Sequence, residues 1–168
     1  MPVSILVLYD RKNSGIEDLA RSAARGVDSA GAAVYLKRTT EATQADLLAA
    51  DGLLLGSPNW SGITGSLKSW LDDQGDLWES GSLAGKPAAA FTSGSGPHSG
   101  LEITLLQMIH WMLACGMVVA GLPWSEGMLK SGSYYGATAV GGPTTEDITQ
   151  ARELGARLAE VATKLTTN

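Results

Sequence analysis

The stretch Leu53-Leu-Leu-Gly-Ser-Pro-Asn-Trp-Ser-Gly-Ile-Thr-Gly65 decides the fold of this chain. An apolar run ends abruptly in a loop of small polar residues that carries one tryptophan, and a helical pattern follows. If residues 52–57 form a strand of an open parallel sheet, the loop lies at its carboxyl end, where such sheets bind ligands. The glycines allow close backbone approach, the asparagine offers a donor and an acceptor, and the tryptophan offers a flat stacking face. The stretch therefore predicts a site for a flat heteroaromatic ligand.

Length and composition are those of one globular domain over residues 1–168. The chain has 168 residues, of which 44% are hydrophobic and 17% are charged, so it can bury a sizeable core. The net charge of −5 disfavours nucleic acid as a partner, since a phosphate backbone is bound by a basic face. A single cysteine, Cys115, excludes an internal disulfide and a metal site built on several cysteines.

The sequence shows no pattern typical of export or membrane insertion. Residues 1–9 are too short and lack the basic start of a signal peptide. No apolar run approaches the roughly 18–20 residues of a membrane span. We therefore expect a cytoplasmic protein with small-molecule partners and no membrane partner.

Apolar runs alternate with helical patterns along the chain. Nearly continuous apolar runs indicate strands that are buried on both faces. They occupy residues 3–9, 32–38, 52–57, 87–93 and 117–122. Capping boxes at residues 43–46 and 99–102 indicate helix starts. Residues 76–86 and 123–142 are predicted to be loops.

This alternation predicts an α/β fold with three layers, in which helices cover both faces of a five-stranded parallel sheet. The predicted strand order is 2-1-3-4-5. Three loops at strand carboxyl ends, at 10–15, 57–65 and 93–100, are rich in small polar residues. Because the carboxyl ends of parallel strands share one edge, these loops should lie together.

Several spaced motifs resemble those of the flavodoxin-like NAD(P)H:quinone oxidoreductases of the WrbA type. They are Gly56-Ser-Pro-Asn-Trp-Ser-Gly62, Leu71-Asp-Asp-Gln-Gly-Asp-Leu-Trp78, Ser80-Gly-Ser-Leu-Ala-Gly-Lys86, Phe91-Thr-Ser-Gly-Ser-Gly96 and Tyr135-Gly-Ala-Thr-Ala-Val-Gly141. The resemblance spans essentially the whole chain and implies a flavodoxin-like fold. The chain lacks the insertion that the family carries between its second and third strands.

The resemblance implies that three loops hold FMN. The first loop, at the start of the first helix, would bind the phosphate through Arg11, Lys12, Asn13, Ser14, Gly15 and Ile16. The second loop would follow the ribityl chain and a ring edge through Pro58, Asn59, Trp60, Ser61, Gly62 and Ile63. The third loop would face the pyrimidine side of the ring through Ser93, Gly94, Ser95, Gly96 and His98. A helix N-terminus suits an anion, but Arg11 and Ser14 replace the hydroxyl residue and the glycine of the family pattern.

The same resemblance implies a substrate face bordered by Trp78, often across a subunit contact. His98, in the third loop, is a candidate contact to the flavin or the substrate. The histidine that the family places before its Gly-Met pair is absent, since Ala114 and Cys115 occupy that region. Cys115 is predicted to be a small buried hydrophobe. No side chain is predicted to be catalytic, because the flavin carries the chemistry.

Three functions remain open on the sequence. The first is an FMN-dependent oxidoreductase that passes electrons from a reduced nicotinamide, NAD(P)H, to a quinone-like acceptor. The second is a flavodoxin-type electron carrier between proteins, and the third is a partner-binding module with weak or lost FMN binding. Five tryptophans, with Trp78 and Trp124 in predicted loops, also indicate a homodimer or homotetramer, because large aromatics are enriched at interfaces.

Overall fold

A parallel sheet forms the middle layer of the molecule. The computed structural model describes residues 2–11 and 15–166. The strands are β1 (Ser4–Tyr9), β2 (Ala33–Arg38), β3 (Gly52–Pro58), β4 (Pro87–Gly94), β5 (Val118–Val119) and β6 (Gly136–Val140). The helices are α1 (Gly15–Ser29), α2 (Gln44–Ala49), α3 (Gly65–Asp72), α4 (Gly75–Glu79), α5 (Leu101–Ala114) and α6 (Thr145–Thr166), with a 3-10 turn at Glu126–Leu129.

The strand order is β2-β1-β3-β4-β5, and β6 also pairs with β4. Each pairing between these strands is parallel. The predicted order 2-1-3-4-5 is therefore confirmed. The order reverses between β1 and β3, which places the switch point beside the carboxyl ends of these two strands.

The fifth strand position is divided between β5 and β6. Ala88 of β4 pairs with Val119, and Ala90 of the same strand pairs with Gly136. The five predicted strands are all present, but the prediction of a loop over residues 123–142 is wrong, because this segment contains the sixth strand, β6. Residues 120–135 leave the sheet between the two short strands and return at Gly136. A side chain at Gly136 would place its Cβ 2.0 Å from the Ala90 carbonyl oxygen, so only glycine allows this re-entry.

Alternate residues of β1 face two cores. Ile5 and Val7 pack with α1 and α6 on one face, whereas Leu6 and Leu8 pack with α3 and α5 on the other. This burial on both faces explains the unbroken apolar run of β1. None of the helices in the described ranges is long and apolar enough to cross a membrane.

Two local predictions at helices are wrong and one is confirmed. Residues 76–86 do not form only a loop, since α4 includes Trp78. The capping box predicted at residues 99–102 is absent, because Gly100 is the N-cap of α5 and has φ 87. The capping box at Thr43 is present, with Asp46 bonded back to the Thr43 backbone.

Candidate functional site

Loops at the carboxyl edge of the sheet enclose a cleft of about 400 Å³, which we call the loop cleft. Its lining residues are Gly15, Pro58, Asn59, Trp60, Ser93, Gly94, Ser95 and Gly141. The volume falls within the range of about 300–1,000 Å³ that is typical of small-molecule sites. The structure thus brings the beginning of α1 together with the second and third predicted loops.

Among the described lining residues, Gly141 is the one that was not predicted to belong to the site. It follows β6 and donates its N–H to the Gly94 carbonyl oxygen at 2.7 Å. The available signal was the short apolar run at residues 137–140 followed by two glycines, which is the pattern of another strand end at the same edge.

Several predicted site residues lie apart from the cleft lining. Lys12, Asn13 and Ser14 lie outside the described residues. The Ile16 side chain is buried in the core with α6, and Ile63 lines a different groove. Four residues of the second and third loops do not line the cleft. They are Ser61, Gly62, Gly96 and His98. Trp78 lies on α4 with 58% of its surface exposed.

Asn59 ties the second loop to the third. Its side-chain amide nitrogen donates to the Ser99 carbonyl oxygen at 2.7 Å, and its side-chain oxygen accepts from the Gly62 N–H at 3.0 Å. Its backbone N–H donates to the Ser93 carbonyl oxygen at 2.7 Å. Asn59 therefore holds the shape of the cleft, and Ser99 serves this contact instead of capping α5.

The third loop presents backbone donors. The described residues offer no hydrogen-bond partner to the N–H groups of Ser95 and Gly96. Ser95 lines the cleft. A Cβ at Gly94 would lie 2.8 Å from Leu101 and 3.3 Å from Asn59, so a larger residue would close this wall. These features suit a planar ligand that carries hydrogen-bond acceptors at its edge.

A buried carboxylate organises the other end of the site. Asp10 is only 3% exposed, and it accepts hydroxyl hydrogen bonds from Thr39 at 2.7 Å, Thr64 at 2.5 Å and Ser66 at 2.8 Å. Burial raises the pKa of Asp10, but these three hydroxyls and the nearby Arg11 lower it, and the net shift is downward. Asp10 is therefore ionised at neutral pH and joins β1 to the segment after β2 and to the start of α3.

Sequence reasoning missed the role of Asp10. The available signal was an acidic residue directly after a buried strand, together with hydroxyl residues at the starts of other elements. Such a residue demands partners, because an unpaired buried charge is strongly unfavourable.

The Asp10 cluster continues into the second loop. Thr64 donates its hydroxyl to Asp10 and accepts the Leu67 N–H at 3.1 Å, which caps α3. The Thr64 N–H donates to the Ser57 hydroxyl at 3.1 Å, and this hydroxyl donates to the Pro58 carbonyl oxygen at 2.9 Å. A continuous hydrogen-bonded chain thus runs from the end of β1 to the lining of the cleft.

A second groove, of about 600 Å³, lies between α3 and α5. Its lining includes Ile63, Leu71, Gln107 and Trp111. The Gln107 side-chain oxygen accepts the Ile63 N–H at 2.8 Å, so this contact ties the second loop to α5 at the edge of the groove. We call it the α3–α5 groove.

Comparisons with known proteins agree with this geometry. The family described as NADPH-dependent FMN reductase matches residues 16–126. A protein of Archaeoglobus fulgidus named NAD(P)H dehydrogenase (quinone) is 35% identical over 187 positions that cover 96% of this chain and 98% of the relative. A protein of the same name from Sinorhizobium fredii is 36% identical over 194 positions, with coverage of 96% and 98%.

Solved structures show the same fold. A WrbA-like flavodoxin from Agrobacterium tumefaciens superposes with a TM-score of 0.77 at 22% identity, and covers 96% of this chain and 98% of its own. A flavodoxin from the domain Archaea gives a TM-score of 0.76 at 19% identity, with coverage of 96% and 99%.

The fold and the cleft at its switch point thus define a flavodoxin-like protein. Sequence identity narrows this class further. The chain belongs to the NADPH-dependent FMN reductase family, which confirms the resemblance inferred from its motifs. The alignments of 187 and 194 positions exceed the 168 residues of this chain, so these relatives carry residues that it lacks.

Proposed function

We propose that this protein is an FMN-dependent oxidoreductase that passes electrons from NAD(P)H to a quinone-like acceptor. One observation carries the proposal: the loop cleft lies at the switch point of the sheet, in a chain whose relatives are named NAD(P)H dehydrogenase (quinone). When bound, FMN would supply the redox chemistry, through which a hydride from NAD(P)H and one proton from water reduce the quinone-like acceptor to its quinol.

The residues of the loop cleft fit FMN. The N–H groups of Ser95 and Gly96 can donate to acceptors at the edge of the flavin, and hydrogen bonds of this kind tune its electronics. Pro58, Asn59 and Trp60 form the wall along which the ribityl chain and one ring edge would lie. Gly15, at the N-terminus of α1, offers the end of a helix dipole to the phosphate. Arg11 supplies a positive charge at this same end.

Because water can supply the one proton that quinone reduction needs besides the hydride, we assign proton transfer to none of the described side chains. Their tasks are to hold the flavin, to set its surroundings and to leave one face open to the donor and acceptor. Asp10 and Asn59 hold the three loops in register through the hydrogen bonds described above.

We assign substrate contacts to His98 and Trp78. His98 is exposed in the third loop, where it borders the proposed flavin edge. Trp78 is exposed on α4 and does not line the loop cleft, so its part in a substrate face would come from packing against another subunit.

We propose that the protein forms a homodimer or homotetramer through α5. Four residues of this helix lie at the positions i, i+3, i+7 and i+10 and therefore share one face. They are Ile103, Leu106, His110 and Leu113. Each of the three apolar residues is exposed. An exposed apolar stripe beside the α3–α5 groove is typical of an interface between copies.

We place the enzyme in the cytoplasm, where NAD(P)H is available to it. The chain is acidic, with a net charge of −5, which supports small-molecule partners over nucleic acid. Its one cysteine is buried. Cell fractionation with a tagged protein tests this location.

A steady-state assay tests the proposed reaction. The purified protein is saturated with FMN, and oxidation of NADPH and of NADH is followed with and without benzoquinone. We expect oxidation that depends on both the protein and the quinone. Bound FMN without turnover would favour a flavodoxin-type carrier, and no FMN binding would favour a partner-binding module.

A further inference from the structure

The guanidinium of Arg11 lies over the indole ring of Trp60. Its central carbon is 5.1 Å from the ring centroid, which is the distance of a cation–π contact. Trp60 lines the loop cleft and is 65% exposed. The contact therefore joins the first loop to the second at the mouth of the cleft.

The backbone at this pair adopts unusual conformations. Arg11 has φ 70 and Ser61, next to Trp60, has φ 59; they are the non-glycine residues with positive φ in the described ranges. Residues other than glycine rarely adopt this region, and they remain there only when the surrounding structure holds them. Asp10, which precedes Arg11 in the chain, is itself held in place by its three hydroxyl contacts.

Among the described residues, no hydrogen-bond acceptor is paired with the Arg11 guanidinium. Arg11 forms no ion pair with a carboxylate among the described residues. A cation–π contact is made by the charge of the guanidinium and does not itself need its N–H groups, which can still donate to a ligand. This planar fork matches a phosphate group, to which it can donate two parallel hydrogen bonds.

We propose that Trp60 is a positioning residue for Arg11, and that this cation–π pair makes the chain select a phosphorylated flavin over an unphosphorylated one. The inference rests on the proposed function, in which the first loop holds the phosphate. It gives Trp60 a different task from the one expected from sequence, which was to stack on the flavin ring or to shield it. It also explains how a loop with Arg11 in place of a hydroxyl residue binds phosphate.

Titrations of FMN and of riboflavin with the protein, followed by flavin fluorescence, test the proposed role of Arg11 and Trp60. Arg11→Ala should weaken FMN binding about tenfold or more, as expected for the loss of charge-assisted hydrogen bonds. Trp60→Ala should weaken FMN binding about two- to fivefold, the equivalent of a cation–π contact. Both variants should change riboflavin binding less than FMN binding. In the double variant, removal of Trp60 should add nothing to the loss caused by Arg11→Ala.

Matched controls separate this effect from general damage. Arg25→Ala removes a positive charge from the exposed side of α1, and Trp124→Ala removes an exposed tryptophan outside the loop cleft. Neither should change the preference for FMN. Trp60→Phe keeps an aromatic ring under Arg11 and should restore part of that preference.

Two results would overturn the proposal that Trp60 positions Arg11. Equal weakening of FMN and riboflavin binding by Trp60→Ala would mean that the indole stacks on the flavin instead. Additive losses in the double variant would mean that Trp60 acts independently of Arg11. If the unchanged protein bound neither flavin, the proposed function would itself fail, and this outcome differs from both of the others.

Discussion

At the scale of single residues, the Asp10 carboxylate should govern acid stability. Its pKa is lowered in the folded state, so its stabilising effect is complete above its unfolded pKa of about 3.9 and is lost as pH falls through the folded value. Asp10→Asn leaves an amide that cannot accept all three hydroxyl hydrogen bonds. We expect it to lower the free energy of unfolding at pH 7 by about 1–3 kcal/mol.

Urea denaturation at pH 7 and at pH 3 measures this effect. The difference between Asp10→Asn and the unchanged protein should narrow at the lower pH, because the carboxylate of the unfolded chain is then protonated while the lowered pKa of the folded state resists protonation. Asp28→Asn, at an exposed position of α1, is the control and should change stability little. A difference that does not depend on pH would contradict the role given to the Asp10 charge.

Asn59 provides a second test at this scale. Asn59→Asp keeps the acceptor for the Gly62 N–H but loses the donor to Ser99. The second and third loops should then separate, and FMN affinity should fall by about three- to tenfold, as expected for the loss of one hydrogen bond within a network. Ser99→Ala keeps the carbonyl acceptor and should therefore lower FMN affinity less than Asn59→Asp does. Similar losses of FMN affinity in Asn59→Asp and Ser99→Ala would show that the contact between the Asn59 amide and the Ser99 carbonyl oxygen does not hold the two loops together.

Cys115 should be inert in the folded protein. It is 4% exposed, and burial raises the pKa of its thiol, which lowers the fraction of reactive thiolate. A thiol reagent such as dithionitrobenzoate should label it rapidly only after denaturation. Rapid labelling of the native protein would show that this end of α5 opens readily.

At the scale of elements, α1 and α6 pack closely because each has a glycine at the crossing. A Cβ at Gly26 would lie 1.9 Å from the Arg152 carbonyl oxygen, and one at Gly155 would lie 2.0 Å from the Ala23 carbonyl oxygen. Gly26→Ala should therefore destabilise the protein by about 1–3 kcal/mol through overpacking, despite the better helix propensity of alanine.

Thermal denaturation monitored by circular dichroism measures that loss. Gly75→Ala is the matched control, since a Cβ at this position would meet no atom within 4 Å. It should leave the midpoint unchanged or raise it slightly. Equal midpoints for the two alanine variants would mean that the helices can move apart without cost.

The elements that could be predicted well from the sequence are those with long hydrophobic patterns. The strands β1 to β4 and the helices α1, α5 and α6 follow from unbroken apolar runs or from repeated helical spacing. The strands β5 and β6 could not be delimited, because one strand position is divided by sixteen residues that leave the sheet at residues 120–135. The two pieces meet only along β4, and a local pattern does not reveal such a long-range pairing.

Much of the candidate site also followed from sequence. Loops at the carboxyl ends of parallel strands must converge, so the cleft residues of the second and third loops could be predicted. The contacts of Asp10, and the use of Asn59 and Ser99 to join loops, depend on partners up to 56 residues apart. The position of Gly141 in the cleft depends on β6, which was predicted to be part of a loop.

At the scale of the whole molecule, the exposed stripe of α5 should mediate self-association. Leu113→Glu places a charge in the stripe and should shift the mass found by sedimentation velocity toward that of the 17.4 kDa monomer. Leu129→Glu changes an equally apolar residue that is exposed on the segment between β5 and β6. This control should leave the assembly intact. A monomeric unchanged protein at micromolar concentration would contradict the proposed oligomer.

The central claim is that the loop cleft binds FMN and lets it exchange electrons with a nicotinamide and a quinone. The most direct measurement follows the visible absorbance of the FMN-loaded, desalted protein without oxygen, first on addition of NADPH and then on addition of benzoquinone. We predict that the flavin stays with the protein through desalting, that NADPH bleaches its absorbance and that the quinone restores it. A protein that emerges colourless from desalting, or a bound flavin that NADPH and NADH both leave unchanged, would contradict the account.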